Sequence, residues 1–158
     1  MGDLIYKEHL TRQSDLIDTR AIEQLKVLVI GAGAIGSFAT LALAKMGVEN
    51  ITVYDHDTVD IVNLNSQFYP SAAVGIKKVT ALYDMLMMFT GVNAITYNKK
   101  YTSDTEPVAY DIVLMAVDSM QARAEIMPVL QCKYLIDTRM SAEKYTQYVV
   151  DMRSTNSK

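Results

Sequence analysis

The sequence predicts an α/β fold: a doubly wound, mostly parallel, Rossmann-like sheet with helices on both faces. Three observations point there. An apolar, β-branched run over residues 25–30 ends abruptly in a glycine-rich turn. Further short runs of that kind alternate with longer helix-forming stretches, the order of a parallel sheet wound with helices. The 158 residues, half of them hydrophobic, are enough to bury one core of this kind, so a single domain is expected over 1–158.

Taken in order, residues 1–24 read as an N-terminal helical segment and 25–152 as the core. Leu-Lys-Val-Leu-Val-Ile at 25–30 is the first strand, buried on both faces. Residues 35–46 are small, apolar and helix-forming, and Gly47 stands where a helix C-cap would. A second strand is expected over 50–54, then a loop over 55–75 whose length alone suggests a function. Residues 77–90 read as a helix with Val79, Leu82, Tyr83 and Leu86 on one face and Met85, Met88 and Phe89 on another. Burial on two sides is the consequence, one against the core and one against a second subunit. A third strand is expected over 94–101, a fourth over 111–117 with a helix running to about residue 130, and further strands over 134–138 and 145–151. Right-handed crossovers fix the winding, and the tail 153–158 is expected to fray.

Composition narrows the function. Fifteen basic against eighteen acidic residues give a net charge of -3, without the basic excess that binding to a nucleic-acid backbone requires. A single cysteine, Cys132, excludes a disulfide framework and a cysteine-rich zinc site, and with ten methionines it fits a reducing compartment. Neither a signal-peptide layout nor an apolar run of ~20 residues is present, so a soluble, cytoplasmic protein without membrane contact is expected.

The chemistry gathers at Gly31-Ala32-Gly33-Ala34-Ile35-Gly36, between the first strand and its helix. The first glycine permits the tight turn, the second lets backbone N–H groups approach phosphate, and the third lets the helix pack against the strand. The helix N-terminus adds about half a positive charge facing the anion. Asp55 ends the second strand nineteen residues after Gly36, where a carboxylate accepts hydrogen bonds from ribose hydroxyls. An adenine nucleotide is therefore expected. NAD is the first candidate on composition, but little chain follows the last strand to carry a substrate site. The two histidines, His9 and His56, read as solvated residues rather than proton shuttles.

From Asp55 the chain reads Asp-His-Asp-Thr-Val-Asp-Ile-Val-Asn-Leu-Asn-Ser-Gln-Phe, and after a short gap Val74-Gly75-Ile76-Lys77-Lys78. This resembles the ThiF/MoeB family, bacterial relatives of the ubiquitin-activating enzymes, with its pattern D-x-D-x-V-x-x-x-N-L-x-R-Q followed by V-G-x-x-K. The resemblance implies binding of ATP with magnesium and adenylation of the C-terminal glycine of a ubiquitin-like or sulfur-carrier protein ending in Gly-Gly, with release of pyrophosphate. Position by position, it implies that Asp55 holds the ribose with Asp57 in the same pocket, and that Asn63 and Gln67 face the phosphates. Lys78 would pair with the triphosphate and Asp118 would approach magnesium. Arg12, in Thr11-Arg12-Gln13, would enter the neighbouring subunit's site in a homodimer or in a heterodimer with a related subunit.

Ser66 stands where the pattern has arginine, so one phosphate-facing charge is missing; Arg123, Arg139 or Lys77 are candidates to replace it. The chain also ends before the cysteine-bearing and zinc-binding region of related enzymes, and Cys132 reads as a small buried residue, so no thioester is expected. Plainer readings stand beside each role. Lys77 and Lys78 also read as a solvated pair, Asn63 as a turn former, and Asp118 as a helix cap. Three functions follow: an adenylating enzyme, an inactive partner subunit of the same fold, and a small NAD-binding module.

Overall fold

The computed structural model describes residue 11, residues 15–141 and residues 143–153. Four helices and six strands are described: α1 (Thr19–Gln24), β1 (Lys26–Ile30), α2 (Ala34–Lys45), β2 (Asn50–Tyr54), α3 (Lys78–Thr90), β3 (Ile95–Tyr97), β4 (Tyr110–Met115), α4 (Met120–Ile126), β5 (Cys132–Ser141) and β6 (Lys144–Asp151). One six-stranded sheet runs β3-β2-β1-β4-β5-β6. Its first five strands are parallel, and β6 returns antiparallel to β5. This is the expected mostly parallel sheet.

Alternation within β1 makes two cores. Val27 and Val29 face α2 and α3, packing with Ala44, Val53, Leu82 and Leu86. Leu28 and Ile30 face the opposite side, with Val113, Met115, Ile126 and Leu135. Helices thus cover both faces, as a parallel sheet demands. Gly47 and Gly91 follow α2 and α3 at φ 101° and 73°, left-handed positions that glycine takes without strain.

Three boundaries differ from the sequence expectation. The third strand spans Ile95–Tyr97 rather than 94–101. Its ladder stops because the Tyr97 carbonyl accepts from both Asp55 N–H and Lys99 N–H, which turns the chain. The helix after β4 ends at Ile126 and tightens into a 3-10 turn over Met127–Val129. Pro128, lacking an N–H, cannot continue an α-helix. The last two strands extend to a hairpin paired from Tyr134↔Asp151 to Ser141↔Lys144. On α3, Val79, Leu82 and Leu86 are buried as expected, but Met85 joins them, leaving Met88 and Phe89 exposed. No helix among the described residues is long and apolar enough to cross a membrane.

Candidate functional site

The chain runs outward from β1 through β2 to β3 and then returns to β1's other side as β4. Crevices form at such reversals, outside the carboxyl ends of the strands. Here the turn after β1 meets the segment after β4: Ala116 N–H donates to Ile30 O at 2.8 Å. A β-carbon on Gly31, whose φ is 95°, would lie 2.7 Å from Ala116 O, so only glycine fits.

The turn is tied down on three sides. Ala32 N–H donates to Asp55 Oδ2 at 2.7 Å, and Asp57 N–H donates to Asp55 Oδ1 at 2.8 Å. Asp55 is buried, so these two amides replace its lost water. Ser37 Oγ donates to Gly33 O at 2.7 Å and accepts from Phe68 N–H at 3.0 Å. Tyr69 Oη donates to Ala32 O at 2.6 Å, and burial pushes that hydroxyl above its ordinary pKa, keeping it a neutral donor. A β-carbon on Gly36 would come 1.8 Å from Gly31 O, whereas one on Gly33 would meet nothing within 4 Å. Gly33 thus borders open space. It caps α2, whose first residues Ala34, Ile35 and Gly36 carry the helix's leading amides.

Lys78 opens α3 and is buried, with Nζ 2.9 Å from Asp57 Oδ2. The hydrogen bond from Lys78 holds Asp57 below the usual carboxylate range. Lys77, by contrast, is exposed, so the two are not a solvated pair. Asn63 Oδ1 accepts from Asp60 N–H at 2.9 Å within a 3-10 turn over Ile61–Asn63, the turn-forming arrangement. Ser66 is exposed. Gln67 Oε1 is buried with no partner among the described residues; as an acceptor it calls for a donor, not for a phosphate oxygen.

Asp118 is exposed and accepts no hydrogen bond among the described residues. The cap of α4 is Ser119, whose side chain accepts from Ala122 N–H, so the capping reading of Asp118 is corrected. Arg12 lies outside the described residues. Of the candidates to replace the missing arginine, Arg123 is excluded. It is buried, bonded to Asp137 and the carbonyl of Val117, and donates to Thr138 O at 2.7 Å. Burial pulls its pKa down while Asp137 opposes that shift. Arg139 pairs with the other oxygen of Asp137 at 2.6 Å and lies over the Tyr148 ring. Cys132 is half-buried, and burial pushes its thiol up.

Tyr69 and Ser37 were not among the expected site residues, and Arg123, a candidate for the missing arginine, was not expected to pair with Asp137. Their partners lie 37, 31 and 14 positions away, beyond any local pattern. The turn after β1 is held against Asp55, and Asp57 is held by the buried Lys78 ammonium.

The chain is 32% identical over 125 residues to the molybdopterin-synthase adenylyltransferase of Escherichia coli (strain K12), covering 76% of this chain and 50% of that protein. It is 35% identical over 109 residues to the adenylyltransferase and sulfurtransferase MOCS3 of Anopheles gambiae, covering 65% of this chain and 24% of that one. The chain therefore spans half the length of the first relative and about a quarter of the second. Among solved structures, E. coli tRNA N6-threonylcarbamoyladenosine dehydratase, TcdA, superposes with a TM-score of 0.75 at 22% identity, over 83% of this chain and 59% of that one. TcdA has also been solved in complex with ATP, and that structure matches with a TM-score of 0.70 over 80% of this chain and 56% of that one. The family model described as the ThiF family matches residues 6–144, so this chain belongs to the ThiF family.

Proposed function

We propose that this chain binds ATP with magnesium at the carboxyl edge of β1, β2 and β4 and adenylates the C-terminal glycine of a ubiquitin-like or sulfur-carrier protein. The observation that carries the reading is the 2.7 Å bond from Ala32 N–H to Asp55, which puts the glycine turn and the carboxylate within reach of one nucleotide. Membership of the ThiF family, the adenylyltransferase names of the relatives and the ATP complex of TcdA support it.

The residues suit the substrate's charge. Gly31, Gly33, Ala34, Ile35 and Gly36 cradle the phosphates with backbone amides, and Asp55 receives the ribose. Lys78 uses one of its three N–H groups on Asp57, which positions the ammonium and leaves two for the phosphates. The family pattern assigns Asn63, Ser66 and Gln67 to the same pocket. Asp118 fits a magnesium ligand: one exposed carboxylate supplies a hard oxygen, and phosphate and water complete the shell. Asp55 and Asp57, with His56 between them, fit less well, because both carboxylates are already engaged. Magnesium, when bound, neutralises phosphate charge.

No catalytic base is needed. A C-terminal carboxylate with a pKa near ~3.5 is already ionised. One of its oxygens bonds to the α-phosphorus as the α–β bridging bond breaks, giving an acyl-adenylate and pyrophosphate. Charge neutralisation and positioning supply the rate, and Arg12 is assigned to the neighbouring subunit's site in a cytoplasmic homodimer, or beside a related subunit. A second reading, an inactive partner subunit, is favoured by Ser66, which carries no charge where the family pattern has arginine.

ATP–pyrophosphate exchange with a carrier ending in Gly-Gly tests this. Wild type is expected to exchange, and Lys78→Ala to lose about 10²–10³-fold; exchange unchanged in Lys78→Ala and Asp118→Ala removes the site. ATP binding without exchange supports the partner-subunit reading, and tighter binding of NAD than ATP the redox one.

A further inference from the structure

Tyr69 is buried and lies 37 residues from the carbonyl it bonds. That carbonyl belongs to Ala32, whose own N–H is held by Asp55 at 2.7 Å. The two bonds act on successive peptide planes. Asp55 sets the plane joining Gly31 to Ala32, and Tyr69 sets the plane joining Ala32 to Gly33. In a planar trans peptide the C=O and the next N–H point in opposite directions. With Ala32 O turned inward onto Tyr69, the Gly33 N–H is turned away from it, and it meets no acceptor among the described residues. Gly33 itself borders open space, since a β-carbon there would meet nothing within 4 Å.

We infer that the Tyr69 hydroxyl is a positioning residue for nucleotide phosphate: by holding Ala32 O it aims the Gly33 N–H into the open space beside the glycine turn. The inference rests on the nucleotide-binding reading above and adds a specificity to it. What Tyr69 favours is the anion, not the nucleoside. Without the hydroxyl, Ala32 O loses its inward partner and the Ala32–Gly33 peptide is free to rotate. The amide then no longer presents a fixed donor, and order must be imposed when ligand binds. Ser37, which holds the next carbonyl, Gly33 O, supports the other side of the same residue.

The experiment compares ATP with adenosine on wild type and Tyr69→Phe by calorimetry, alongside the 15N-resolved amide shift of Gly33. The substitution keeps the ring and removes only the hydroxyl. Expected is roughly fivefold to tenfold weaker ATP binding, the scale of one hydrogen bond, with adenosine affinity unchanged. The Gly33 amide is expected to shift on ATP addition in wild type and less in the variant. Equal losses for ATP and adenosine would mark a merely structural role and overturn the inference, as would undiminished ATP binding. Should Tyr69→Phe not fold, the wild-type Gly33 amide decides: a resonance unmoved by saturating ATP overturns the proposal. Wild type that binds no ATP at all would instead overturn the nucleotide reading and this inference with it.

Discussion

A β-carbon on Gly36 would sit 1.8 Å from the carbonyl oxygen of Gly31, against backbone that cannot withdraw, while one on Gly33 would meet nothing within 4 Å. The same substitution at the two positions therefore has opposite signatures. Gly36→Ala is expected to destabilise by about 1–3 kcal/mol or more through overpacking, read as a fall in thermal midpoint by circular dichroism. Gly33→Ala is expected to leave stability within about 0.5 kcal/mol, since its φ of -80° asks for no left-handed backbone. Its methyl would fill the space in which phosphate is proposed to sit, so ATP affinity should fall at least about tenfold. Equal thermal losses, or normal ATP binding by Gly33→Ala, would contradict that division. The tight turn at Gly31 and the close packing at Gly36 were legible because spacing alone encodes them. The hydrogen bonds of Tyr69 and Ser37 were not, because a tyrosine after Gln-Phe carries no local sign of the carbonyl it will reach. Asp57 was counted in the pocket, but its pairing with Lys78 needed the fold to bring β2's end against α3.

At the scale of elements, runs of β-branched residues placed β1 and β2 to within a residue, and Gly47 marked the end of α2. Boundaries set by long-range bonds escaped, as with Tyr97, whose carbonyl is claimed by the end of β2. The end of α4 escaped although Pro128 marks it locally, and what ties α4 to β5 is a long-range cluster. Asp137 is buried between Arg123, buried on α4, and Arg139, which is 37% exposed. Removing Arg123 strips Asp137 of its enclosed partner and leaves the Val117 and Thr138 carbonyls without their donor. Arg123→Met is expected to lower stability by about 3–5 kcal/mol, the range for breaking a buried pair. Arg139→Met should lose less, because that partner is partly solvated and screened. Urea unfolding of both variants checks the order, and a smaller loss for Arg123→Met would show that the cluster does not hold α4 on the sheet.

Over the whole molecule, one chain of ring contacts links three phenylalanines across α2 and α3. Phe38 on α2 packs on Phe68 at 5.2 Å between ring centres, and Phe68 packs on Phe89 of α3 at 5.9 Å. Phe38 and Phe89 are each about half exposed, and Met88 beside them is 77% exposed. An exposed apolar patch of this kind suits a contact with another protein, and the outward part of α3's second apolar face, Met88 and Phe89, was legible from helical spacing, although Met85 turned inward. The proposed homodimer is expected to bury this patch against the second copy. Light scattering should then give twice the chain mass of 17.6 kDa, and the double substitution Phe38→Ser, Phe89→Ser should give one. The glycine turn, Asp55 and Lys78 all come from one chain, so the monomeric variant should still bind ATP. With Arg12 proposed to serve the neighbour's site, the same variant should lose pyrophosphate exchange by a factor of about 10³ or more, the scale of an arginine supplied in trans. A wild-type mass of one chain, or full exchange by the monomeric variant, would place every catalytic group within a single chain.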